Sequence, residues 1–199
     1  ELAKTYLATY PGRVAAMRVV PNRGRDIGPF LTAFLPEILT SYDLVGHIHT
    51  KRSKDVKDEN MGKTWFHFLM ENLIGGASGP MMDIIIGRLQ KDASIGMVFP
   101  DDPYITGIEK NGDIAVAIGK NMGITSIPMH FVYPVGTMFW SRTAALKSVA
   151  DLQLSWEDYP EEPLPYDGSL LHALERLIAL ALPSGGWKIA ATNIHGVSR

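Results

Sequence analysis

The run Pro80-Met-Met-Asp-Ile-Ile-Ile-Gly-Arg-Leu-Gln-Lys91 leads, through Asp92-Ala93-Ser94, straight into Ile95-Gly96-Met97-Val98-Phe99. The first part has the length and pattern of a helix, and the second is an unbroken apolar run of strand length. A helix handing over to a buried strand is the unit from which layered α/β domains are assembled. Reading outward repeats the alternation. Residues 63–74 predict another helix, set off by Gly75-Gly76-Ala77-Ser78-Gly79. Residues 43–49, Asp-Leu-Val-Gly-His-Ile-His, read as a buried strand that runs into Thr50-Lys51-Arg52-Ser53. Residues 27–39 look helical, residues 21–26 are a polar turn, and residues 14–20 (Val-Ala-Ala-Met-Arg-Val-Val) read as a short strand. Downstream, residues 100–127 are irregular or partly helical, while residues 131–133 and 136–140 resemble a strand leading to a helix at 143–152. A Pro/Glu-rich loop at 155–165 precedes a helix that opens at Asp167, and a last strand is expected at 187–192. The whole chain, 1–199, reads as a single α/β domain.

Composition narrows the function. The chain is 46% hydrophobic, enough for an ordinary core. A net charge of −2 argues against nucleic-acid binding through phosphate neutralisation. There is no cysteine, which excludes disulfides, a thiolate nucleophile and a zinc-thiolate site, and fits a cytoplasmic protein. No apolar run is long enough to span a bilayer. The chain opens on Glu1, without an initiator Met, inside a helix-like segment at 2–10, so part of a longer protein is expected.

Four polar clusters carry candidate chemistry. Asn22-Arg23-Gly24-Arg25-Asp26-Ile27-Gly28 is a turn entering a helix, where free N–H groups and two guanidinium forks suit an anion. Its plain alternative is an Asp26 cap with two surface arginines. His47 and His49 alternate on a strand and so share one face at its carboxyl end. They read as metal ligands, as donors beside Lys51 for a diphosphate, or as packed core histidines. Phe139, Trp140 and Arg142 suit a sugar ring, although most aromatic stripes are core. Finally, Asp167-Gly-Ser-Leu-Leu-His172-Ala-Leu-Glu175-Arg176 places a carboxylate at a helix N-cap and three polar groups on one face within a turn. A carboxylate near an imidazole is the minimum equipment for general-base work on a hydroxyl. The structural alternative is a cap with an internal ion pair. Mixed charges across 51–63 mark a surface loop, of which 52–63 is a candidate lid.

Together, Asn22 to Phe30, His47 to Lys51, Gly96 to Pro100, Gly136 to Arg142 and Asp167 to Arg176 resemble the rhamnan synthesis protein F family of bacterial surface-polysaccharide assembly. The five motifs follow the family's order from about residue 15 to 190. The resemblance implies a glycosyltransferase A-type-like layered sheet with flanking helices, lacking its N-terminal strands. It also implies transfer of a sugar, rhamnose from a dTDP-linked donor, to a lipid-linked or growing polysaccharide. Arg23, Arg25, Asp26, His47, His49 and Lys51 would then hold the donor diphosphate. Phe139, Trp140, Arg142 and Arg176 would bind sugar, and Asp167, with His172 and Glu175, would take the acceptor proton. In such folds a metal-binding Asp-x-Asp ends a strand, but here His49-Thr50-Lys51 stands in its place. That departure puts Mg²⁺ or Mn²⁺ in doubt and leaves Lys51 to offset the leaving charge. The expected location is the cytoplasm, peripheral at the inner face of the plasma membrane. The competing expectation is a non-catalytic glycan-binding or scaffolding module, and the third is a metal hydrolase built on His47, His49 and Asp167.

Overall fold

Four short strands make one mixed sheet: β1 (Leu44–His47), β2 (Ile95–Pro100), β3 (Phe139–Arg142) and β4 (Lys188–Thr192). The structure is a computed structural model that describes Thr5, residues 8–50 and residues 59–197. Across the sheet the order is β1-β3-β2-β4. β3 is antiparallel to both of its neighbours, and β2 is parallel to β4, so β1, β2 and β4 share one direction. These three strands therefore end at a common edge, where β3 begins.

The described helices are α1 (Leu35–Ser41), α2 (Glu59–Leu73), α3 (Met81–Lys91), α4 (Gly112–Gly119), α5 (Lys147–Ala150) and α6 (Leu170–Leu180). All six residues of β2 are buried, which is why its sequence is continuously apolar rather than alternating. Met97 and Phe99 point into the larger core, built with α1, α4, α5 and α6. Ile95 and Val98 point the other way, against α3. A register shift against β4 between Ile95 and Met97 accommodates the change of face. Phe68, Leu69 and Leu73 of α2 pack beside α3's cluster, and Trp140 touches both. The result is a sheet between two helical layers. None of the described helices is long and apolar enough to cross a membrane.

The alternation expected from sequence holds for three strands and most helices, with local corrections. Residues 14–20 are not a strand: among the described residues they pair with nothing, and Val19 is 102% exposed. Apolar, β-branched residues make a strand only where a neighbour offers a ladder. The helix expected at 27–39 begins as a π-type turn (Pro29–Phe34) before α1. Pro36 lacks the N–H that would continue the ladder to residue 32, which accounts for the wider turn. Residues 131–133 are irregular. α2 starts at Glu59, so residues 59–63 of the candidate lid are helical, and residues 51–58, Lys51 included, lie outside the described residues. At α6 the N-cap residue is Ser169, not Asp167. No capping bond is made there, because the Ser169 hydroxyl lies 2.8 Å from His172 Nδ1 instead.

Candidate functional site

At the common edge a tight turn, Val135-Gly136-Thr137, introduces β3. Gly136 and Thr137 both have positive φ, +75° and +56°, and Thr137 N–H closes the turn on Pro134 O at 2.7 Å. That conformation costs a β-branched threonine energy, so surrounding groups must hold it. They do. His47, at the end of β1, donates Nδ1–H to Thr137 O at 2.5 Å, and His49 donates Nε2–H to Gly136 O at 2.7 Å. A carbonyl only accepts, which fixes the proton on each of those ring nitrogens. From the other side, Glu175 Oε1 of α6 accepts Gly136 N–H at 2.6 Å.

His49 Nε2 also lies 3.4 Å from Asp26 Oδ2, an electrostatic contact rather than a hydrogen bond. Asp26 is delivered by the Gly24 turn, whose φ of +78° and 2.7 Å approach of a would-be Cβ to Gly28 require glycine. His47 is buried against Phe30 and Phe139, with ring centroids 4.4 and 5.5 Å away. Burial pushes its imidazole below the ordinary histidine range, although the Asp26 charge and the Thr137 carbonyl pull the other way.

Glu175 leads to a buried cation. Arg176 is 4% exposed and pairs with Glu109, with Asp167 at 3.4 Å and with Glu175 at 3.5 Å. It donates to His172 O at 2.9 Å and lies over the Tyr133 ring, 5.0 Å from its centroid. Burial raises the Tyr133 phenol far above its usual range, so it stays a neutral donor. Asp167 accepts from Asn111 Nδ2 at 2.7 Å and Lys110 N–H at 3.2 Å. Burial alone would raise its carboxyl, but Asn111, Arg176 and the backbone N–H groups of Lys110 and Gly168 outweigh it and hold it below the ordinary aspartate range. Asp26, His49, Gly136, Glu175, Arg176 and Asp167 thus form one continuous polar chain across the edge.

Other expected site residues lie elsewhere. Arg23 donates Nε–H to Tyr159 O at 2.6 Å, and Arg25 pairs with Glu162 at 3.1 Å, so both tie the turn to the 155–162 loop. Phe139 is 0% exposed and edges against Phe30, which leaves its face to the core rather than to a sugar. Trp140 donates its indole N–H to Leu73 O at 2.9 Å. Arg142, at the far end of β3, donates to Ile95 O at 3.0 Å and to Leu89 O, closing the carboxyl end of α3. Glu109, Asn111 and Tyr133 complete the Asp167–Arg176 network; the first two carry no motif, and Tyr133 opens the aromatic stretch that runs to Arg142. Only the polar run Glu109-Lys110-Asn111 could have hinted at two of them. Among the described residues no three His, Asp or Glu side chains converge to hold a metal ion. His47 and His49 each spend one ring nitrogen on a carbonyl, which fixes the tautomer and orientation of both rings. Asp167, the third ligand expected for a metal hydrolase, is held instead by Asn111 and Arg176 and does not converge with His47 and His49.

Comparison with known proteins gives these contacts a setting. Two curated proteins, each described as uncharacterized protein WxcX, come from Xanthomonas campestris pv. campestris strains B100 and ATCC 33913. Both are 30% identical to this chain over 175 residues, covering 86% of it and 24% of their own length. The chain therefore spans about a quarter of the curated relatives it matches. No solved structure matches it. The model of the family described as rhamnan synthesis protein F matches residues 1–184, taking in all five motifs. The chain belongs to the rhamnan synthesis protein F family.

Proposed function

We propose that this chain is a glycosyltransferase-like domain of bacterial cell-surface polysaccharide synthesis, moving rhamnose from dTDP-rhamnose to a growing or lipid-linked glycan in the cytoplasm. The observation that carries the reading is the convergence at one sheet edge of segments 26, 47–49, 136–137 and 167–176, held by a continuous polar chain. Carboxyl edges of α/β sheets are where such ligands bind. Asp167, ionised and positioned by Asn111 and Arg176, accepts the hydrogen bond of the acceptor hydroxyl and takes its proton as the sugar transfers. Its lowered basicity makes orientation of that hydroxyl the larger part of its work. His47, His49 and Glu175 act through the Gly136 turn as positioning residues. Lys51 offsets the departing diphosphate charge, an electrostatic task. No step is routed through a metal.

Titration calorimetry with dTDP-rhamnose and with dTDP, each with and without Mn²⁺, tests the donor site. Binding of both that disappears in Lys51→Ala supports the reading, and unchanged binding in that variant removes Lys51 from it. Asp167→Asn should retain donor binding and abolish transfer to a rhamnan acceptor. A second reading, a non-catalytic glycan-binding module, is favoured by the internal use of His47, His49 and Glu175. It predicts glycan binding that survives Asp167→Asn and no transfer by the unaltered chain.

A further inference from the structure

A recess opens at the same edge, between the segments that leave β2 and β4. It holds about 200 Å³ and is lined by Asp101, Asp102, Tyr104, Asn193, His195 and, at its base, Phe68, among others. Its walls are fixed from several directions. Asp101 N–H donates to Thr192 O at 2.9 Å, joining the two segments where β2 and β4 end. Asp102 is 3% exposed, and its Oδ1 accepts Tyr104 N–H at 3.0 Å, pinning a turn that leaves Tyr104 67% exposed. On the opposite wall, Val197 N–H closes on Ile194 O at 3.0 Å, and the Val197 side chain packs into the Phe68 and Met138 cluster. Asp101, Asn193 and His195 make no side-chain hydrogen bond to another described residue. Their polar atoms are available to a ligand.

The chemistry of this lining is selective. The Asp101 carboxylate, the Asn193 amide and the His195 imidazole beside an exposed phenol ring can take several hydroxyls while a ring's C–H face lies on Tyr104. Among the described residues no Lys or Arg lines it, and two carboxylates do, so a phosphate or diphosphate would meet carboxylate repulsion without a fixed cation to offset it. The volume is below the roughly 300–1,000 Å³ of sites for drug-sized ligands, which suits one sugar ring and not a nucleotide sugar. We infer that this recess binds a single neutral pyranose, the acceptor end of the glycan, apart from any donor diphosphate. The identity of that glycan rests on the rhamnan reading above, whereas the neutral-sugar chemistry does not.

The test is amide chemical-shift mapping of the whole chain with methyl α-L-rhamnopyranoside, with dTDP and with dTDP-rhamnose. The rhamnoside should shift Asp101, Tyr104, Asn193 and His195, and dTDP should leave them unmoved. Asn193→Ala and Asp101→Ala, at half-buried or exposed positions, should each weaken rhamnoside binding about tenfold, the loss of roughly one strong hydrogen bond. No shift at these residues with the rhamnoside, undiminished binding by both Asn193→Ala and Asp101→Ala, or a shift produced by dTDP alone overturns the inference. Rhamnoside bound here with no donor binding anywhere upholds it and sinks the transferase reading. Donor binding with these four residues silent does the reverse.

Discussion

The Gly136 peptide is held on both sides, its N–H by Glu175 and its C=O by His49, while His47 holds the next carbonyl. Losing one partner leaves a buried polar group unmatched. Glu175→Ala should therefore lower stability by about 1–3 kcal/mol, read from the urea midpoint, and Glu175→Gln, which keeps an acceptor, by less. His47 makes stability depend on pH. Its folded pKa lies below the unfolded value of 6.5, so the unfolded chain binds the extra proton first as pH falls. The contribution is intact above about pH 6.5 and lost below it, with a slope of at most about 1.4 kcal/mol per pH unit. Urea midpoints measured from pH 7.5 down to 5.5 should fall for the native chain. His47→Gln, which keeps a donor but cannot titrate, should be less stable at neutral pH and flatter across that window. A profile unchanged by the substitution would refute the assignment.

Among the elements, the joint between α3 and the sheet depends on Arg142, whose guanidinium collects carbonyls from Leu89, Asp92 and Ile95. Arg142→Ala should cost about 1.5–3 kcal/mol in thermal or urea unfolding while leaving rhamnoside affinity unchanged. Loss of sugar affinity with unaltered stability would restore Arg142 to the binding site. This residue also marks the boundary of what could be read from sequence. Run 95–99 announced its strand because full burial demands unbroken apolar residues, whereas the strand in 43–49 is only half-buried and shorter than its run. The His47 and His49 pair was legible as well, since a period of two places both on one face. Their partners were not legible, because they are backbone carbonyls of a turn 87 to 90 residues away. Arg142 and Phe139 looked like ligand contacts for a similar reason: residue type says nothing about whether a guanidinium faces solvent or the end of a helix. Asp167 misled at the cap and not in its neighbourhood. The Asp-Gly-Ser turn begins α6 two residues later than expected, which frees the carboxylate for Asn111 and Arg176.

Across the molecule, the sheet lies between two helical layers, and β2 has neighbours on both sides and helices on both faces. Amide exchange of Met97, Val98 and Phe99 should accordingly be the slowest in the chain and track global unfolding, with β4, on the sheet's rim and largely exposed, opening earlier. Faster exchange in β2 than in α6 would contradict this hierarchy. Trp140 links the α2 and α3 clusters, so its environment changes only when that entire layer comes apart. The shared carboxyl edge has an evolutionary consequence. Because β1, β2 and β4 all finish there, the segments that follow them can be rewritten one at a time while the layers behind them stay packed. What has to be inherited intact is thereby kept apart from what can be tried. A lineage can sample new ligands by exchanging loops at three junctions, and chimeras of distant relatives spliced at those junctions should still fold.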